Sequence, residues 1–110
     1  MLKGVLSVLL LHLLAERESY GYEVVQRLQA AGFADVLEGS VYPALSRLQR
    51  EGRVTTRLVP SPSGPARKYY YLTAAGRQAL AEGTAAWARH AAGVDAVLSR
   101  PLPDAVTEGD

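Results

Sequence analysis

The chain contains no cysteine, and its 110 residues include only one methionine, one tryptophan and one phenylalanine. Without thiols, a disulfide scaffold, a thiolate metal site and a cysteine nucleophile are all excluded, and an intracellular, cytoplasmic protein is expected. Histidine is almost as scarce: His12 and His90 stand far apart, so neither a metal site nor a cofactor is expected. No glycine-rich phosphate loop follows a strand pattern and there is no nucleophile elbow. Nor is there an acid and base constellation, so no enzymatic activity is expected. A long hydrophobic run is missing as well. The opening stretch MLKGVLSVLLLHLLAE is broken by Ser7 and His12 and falls short of the roughly 20 apolar residues that span a bilayer. Lys3 ahead of the leucines and Ala15 after them resemble a signal peptide. The run leads without a linker into a second helical pattern, however, and is read as a buried first helix with no membrane partner.

What is present is a polarised charge. The net charge is only +1, but residues 40–77 carry seven bases against one acid, Glu51. That block is +6, and the remaining five bases and ten acids make the rest −5. A basic block suits a polyanion, because each neutralised phosphate releases condensed counterions. A solvated surface face is the competing explanation. A chain of this length forms one small core and gains from a partner chain.

The hydrophobic pattern predicts four helices and one β-hairpin, a mainly α fold. Helix one covers residues 2–15 and is leucine-rich on nearly all sides. Ser19 is the expected N-cap of a second helix over residues 20–30, with Gly32 as its stop. Gly21 is expected to allow close backbone approach to a neighbouring helix. For the third helix, Ser40 is the expected N-cap, which puts Pro43 in the first turn, where a missing amide proton costs nothing. Val41, Leu45 and Leu48 then form the core stripe. Ala44, Arg47 and Glu51 are expected to face away, with Arg50 on the flank. The small residues Ser40, Pro43 and Ala44 would leave a slim end, able to enter a major groove with an arginine one turn later.

RVTTRLV alternates as a strand, PSPSGP reads as the hairpin tip, and ARKYYYL returns. Three helices followed by a hairpin is the order of a winged helix-turn-helix, with Arg67 and Lys68 on the wing near phosphate. Thr73 is the expected cap of a last helix over residues 74–99. Within it Leu80, Thr84, Trp87, Ala91, Val94 and Leu98 recur in a heptad rhythm and predict a seam with a second chain. Folding back on helix one is the alternative. Two copies would fit a palindromic double-stranded operator with half-sites roughly 34 Å apart. The expected organisation is a DNA-binding unit over residues 1–73, a dimerisation helix over 74–100 and a disordered tail over 101–110.

Taken together, Gly21-Tyr22-Glu23, Tyr42-Pro43-Ala44-Leu45, Arg47-Leu48, Glu51-Gly52, Lys68-Tyr69-Tyr70, Leu72-Thr73 and Gly76 resemble the PadR family of bacterial transcriptional regulators. The likeness is to its short subgroup with a single C-terminal helix. It implies a homodimeric repressor released by a small molecule. By position, Ser40, Tyr42, Pro43, Ala44 and Arg47 match its recognition helix, and Arg67 and Lys68 its wing; Arg50 joins them from the residue pattern. Ala74 and Ala75 stand where members often have acids, which removes a capping box. Trp87, fourteen residues after Thr73, is spaced as in members that stack planar drugs at the dimer centre. Val8, His12 and Ala15 are candidates to line the same space. As a large aromatic on a seam, Trp87 equally suits plain packing. Two other functions remain open: a winged helix that docks an acidic protein partner, and a drug-binding dimer with weak DNA affinity.

Overall fold

The computed structural model describes residues 3–105, so the expected start of helix one at Leu2 and the tail residues 106–110 lie outside the described residues. Its elements run α1 (Lys3–Glu16), β1 (Ser19–Tyr20), α2 (Gly21–Ala30), α3 (Glu38–Arg50), β2 (Val54–Ser61), β3 (Gly64–Leu72) and α4 (Ala74–Leu98). This is the expected helical fold with its hairpin, extended by one short strand. The sheet order is β1-β3-β2, antiparallel throughout.

The core lies where α1, α2 and α3 meet the sheet. Leu10, Leu11, Val24, Leu28, Leu45 and Leu48 are its most deeply buried large side chains. Burying each of these contributes about 1.5–3 kcal/mol, and Leu6, Leu10, Leu11 and Leu14 place α1 at the centre of the core. Both interior helices end on a glycine in the left-handed region, Gly32 at φ 109° and Gly52 at φ 74°. Each closes two bonds onto the last turn: Gly32 and Phe33 N–H to the Gln29 and Leu28 carbonyls, and Gly52 and Arg53 N–H to the Gln49 and Leu48 carbonyls.

Several local expectations are corrected. Ser19 does not cap α2. It pairs with Tyr70 in β1, is fully buried, and its hydroxyl accepts from Arg27 Nη1 at 2.8 Å. Tyr20 takes the cap position without a side-chain bond. Ser40 does not cap α3 either, because the helix begins a turn earlier at Glu38, whose charge suits the positive end. Pro43 is therefore inside the helix and deprives the exposed Gly39 carbonyl of its partner, which water can replace. The hairpin tip is narrower than PSPSGP, with only Pro62 and Ser63 outside the strands. Pro60 falls in a register irregularity between Val59 and Ser61 on the edge strand, where no ladder bond is lost.

The radius of gyration is 18.9 Å, against about 13 Å for a compact chain of this size. The excess comes from the outer half of α4, since a helix of 25 residues is roughly 37 Å long. Its inner half packs on α1, where a Cβ on Gly83 would overlap Val8. Thr73 caps α4 as expected, accepting from Gly76 N–H at 3.0 Å.

At Gly76, an added Cβ would run into the Arg53 carbonyl oxygen. Gly76→Ala is expected to lower stability by about 1–3 kcal/mol in chemical denaturation. Gly93→Ala, whose methyl meets nothing within 4 Å, is expected to gain up to about 1 kcal/mol from helix propensity.

Candidate nucleic-acid interface

The outer face of α3 differs from the expected one by about a third of a turn. Ala44 is buried, because it stands three residues after Val41 and four before Leu48 and so belongs to the core stripe. Arg47 is half-buried on the flank, and its Nη2 donates to Ser7 Oγ on α1 at 2.6 Å. Arg50, expected on the flank, is exposed on the outer face instead, together with Gly39, Pro43 and Ser46. Ser46 was missed by sequence reasoning, although the spacing that condemns Ala44 to the core also turns Ser46 outward. A groove of about 530 Å³ runs beside this face, lined by Leu6, Asp35, Ser40, Pro43, Arg47 and Arg50 among others.

Tyr42 occupies the other flank, at 38% exposure. Its ring fills the notch left by Gly21, where a Cβ would overlap Tyr42 Cε1. The space at Gly21 is thus taken by a side chain of α3, not by the close backbone approach expected. Burial pushes the Tyr42 hydroxyl above its ordinary range, with Glu38 and Tyr22 adding to the effect. Burial and the neighbouring Tyr42 do the same to Tyr70. Both phenols stay protonated at neutral pH and keep a donor. Gln49, also missed from sequence, links α3 to the hairpin through its Nε2 and Thr56 Oγ1, 3.4 Å apart.

On the hairpin, Arg67 and Lys68 lie in mid-strand opposite Val59 and Leu58, away from the tip. Strand alternation puts them on opposite faces. Arg67 sits 4.5 Å over the Tyr20 ring on the outer face, and Lys68 5.7 Å from the Tyr70 ring on the core side. Tyr20 and Tyr69 meet edge to face at 5.5 Å. Arg57, on the same outer face, donates from Nε to Glu18 Oε2 at 3.1 Å and also bonds Oε1. That hydrogen-bonded carboxylate holds the guanidinium protonated still more firmly than usual. Arg53 lies 3.9 Å from Glu51. Among the described residues of the basic block, Arg53 and Arg57 have a carboxylate within ion-pair distance, whereas Arg47, Arg50, Arg67, Lys68 and Arg77 do not. Of these, Arg47 is bonded to Ser7 and Arg77 lies on α4, which leaves Arg50, Arg67 and Lys68 on α3 and the hairpin.

The expected effector residues divide. Val8 and Trp87 share a crevice of about 410 Å³ with Val5, Gly83, Ala86 and His90, whereas His12 and Ala15 are not in it. His12 is exposed a turn further along α1, 3.9 Å from Glu16. The Trp87 and His90 rings are 5.7 Å apart. Along the expected seam, Leu80 and Ala91 are half-buried, while Thr84, Trp87, Val94 and Leu98 are exposed; Val97 adds to that apolar surface. Among the described residues no cluster of side chains could hold a metal ion, and no helix is long and apolar enough to cross a membrane.

Three helices with the third turned outward beside a two-stranded wing, closed by a long terminal helix, define a winged helix-turn-helix protein. The chain belongs to the PadR-like family of transcriptional regulators, whose family model matches residues 10–82. It is 39% identical over 75 residues to Transcriptional regulator Rv3488 of Mycobacterium tuberculosis (strain ATCC 25618 / H37Rv), covering 66% of each chain. Its fold is similar to that of the PadR-like transcriptional regulator BC4206 from Bacillus cereus strain ATCC 14579, with a TM-score of 0.81 and 40% identity over 92% of this chain and 98% of that one. It is also similar to Bacillus subtilis PadR, solved in complex with operator DNA, with a TM-score of 0.65 and 28% identity. That match covers 94% of this chain but 52% of the Bacillus subtilis chain.

Gly21→Ala is expected to displace the Tyr42 ring with a net stability change below about 1 kcal/mol, since helix propensity offsets the lost packing. Aromatic resonances of Tyr42 should shift in NMR spectra while those of Tyr69, on the far face of the sheet, stay in place.

Proposed function

We propose that the chain is a sequence-specific, homodimeric transcriptional repressor that binds a palindromic DNA operator and is released by a small planar effector in the cytoplasm. The observation that carries the DNA-binding reading is the outer face of α3. Gly39, Pro43 and Ser46 keep it slim, and Arg50 projects from it with no carboxylate partner among the described residues. A major groove about 12 Å wide admits such a helix, and a free arginine on it can bond guanine O6 and N7 together. The similarity to a regulator solved on operator DNA supports the same reading.

In this reading Arg50 reads a base edge, with Ser40, Tyr42, Pro43 and Arg47 around it, and Ala44 only packs α3 on the core. Arg67 and Lys68 meet phosphate on either face of the wing. The dimer reading is supported by the exposure of Trp87, Val94, Val97 and Leu98 at 47%, 41%, 52% and 77%, an apolar stripe too continuous for an isolated helix in water. The crevice of Trp87 and Val8 supports a planar aromatic effector, being large enough for one ring system. A dimer seam alongside it would enclose that crevice.

Duplexes selected by the protein from a random library are expected to bind at least roughly a thousandfold tighter than a scrambled duplex in fluorescence anisotropy. Equal, salt-sensitive binding to both would overturn the regulator reading in favour of a module that docks acidic partners. Arg50→Ala should weaken selected DNA by about 1–3 kcal/mol and scrambled DNA much less, whereas Lys68→Ala should weaken both alike and reduce the salt slope by roughly one. Val94→Asp should leave a folded monomer in analytical ultracentrifugation, because a carboxylate in an apolar seam lacks a partner. A dimer unchanged by that substitution would rule out the α4 seam.

A further inference from the structure

Ser7 is a polar residue in the leucine-rich centre of α1, and neither the core nor the seam explains it. Its side chain is half-buried and its Oγ accepts from Arg47 Nη2 at 2.6 Å, a contact between residues 40 positions apart. Arg47 has no carboxylate within ion-pair distance among the described residues, so this bond is the polar contact that directs its guanidinium. One of its five N–H groups bonds Ser7, and Arg47 lines the groove together with Arg50 and Pro43.

The position of Ser7 is itself fixed from the other side. The next residue, Val8, presses into the notch at Gly83 of α4, and Ser7 and Val8 line one groove with Gly83 and Ala86. A free arginine side chain carries roughly 2 kcal/mol of rotamer entropy. Holding it before DNA arrives moves that cost from binding to folding.

We propose that Ser7 is a positioning residue for DNA recognition: through its bond to Arg47 it presets the guanidinium at the edge of the α3 reading face. The proposal rests on the DNA-binding reading above. It acts on sequence preference more than on stability, because Ser7→Ala removes one hydroxyl from a half-exposed site and replaces it with a better helix former.

The test measures anisotropy of the full chain on a duplex selected by the wild-type protein and on its scramble, for Ser7→Ala, Ser7→Thr, Arg47→Ala and the double variant Ser7→Ala/Arg47→Ala. Thermal melts and sedimentation accompany each. Ser7→Ala is expected to lower the selected-to-scramble ratio about tenfold, the scale of one hydrogen bond to a charged group. Its melt and dimer state should match the wild type, Ser7→Thr should recover the ratio, and Ser7→Ala should have no effect in the Arg47→Ala background. An unchanged ratio in Ser7→Ala, or an equal loss with and without Arg47, would overturn the positioning role and leave the regulator reading intact. A wild-type protein with no preference between the two duplexes would overturn both.

Discussion

The junction of Thr73 and Gly76 with the turn after α3 ties the helices and the sheet of this molecule into one frame. The Thr73 hydroxyl donates to the Gly52 carbonyl at 2.6 Å and accepts from Gly76 N–H at 3.0 Å, while Thr73 N–H bonds the Arg53 carbonyl at 3.2 Å. Gly76 sits so close to that carbonyl that no side chain fits. One residue thus joins the end of α3, the start of β2, the end of β3 and the start of α4. The start of α4 is thereby tied to the carboxyl end of α3 through short backbone contacts. Gly52, in the left-handed region, is what lets the chain turn sharply enough to offer its carbonyl there.

α1 completes the frame from the opposite side. Its leucines fill the core between α2 and α3, and its Val8 packs into α4 at Gly83. A chain of this length has a modest core, and α1 lets a single helix serve both the core and the surface of α4. The price in specificity of a leucine-rich helix, which could roll to several equivalent faces, is limited by its few polar contacts. Ser7 meets Arg47, and at the far end Glu16 meets Arg27, which in turn holds Ser19.

The charge pattern gains meaning only once folded. The +6 block is not a uniformly basic surface: Glu18 takes Arg57, Glu51 lies near Arg53, and Ser7 takes one edge of Arg47. Arg50, Arg67 and Lys68 are left as the cations best placed for a polyanion. Exposed ion pairs of this kind add little to stability, because solvent screens them. Their larger effect is to leave Arg67 and Lys68 as the hairpin cations without a carboxylate partner among the described residues.

The order of the helices and the hairpin, the stop at Gly32, the Thr73 cap and the apolar rhythm of α4 were all legible in the sequence, because each depends on residues a few positions apart. Capping, left-handed glycine and heptad spacing are local properties that a single chain carries wherever it folds. The family was legible for the same reason, since its motifs are contiguous. The two-residue strand β1 was not, because Ser19 and Tyr20 become a strand only when Tyr70 and Tyr69 arrive beside them. The burial of Ala44 was readable from its spacing to Val41 and Leu48. The direction of Arg47 and the neutralisation of Arg57 were not: their partners lie 40 and 39 residues away. Tertiary structure decided those contacts, because a side chain with several donors takes its direction from whichever acceptor packing brings within reach, and packing is a property of the whole core.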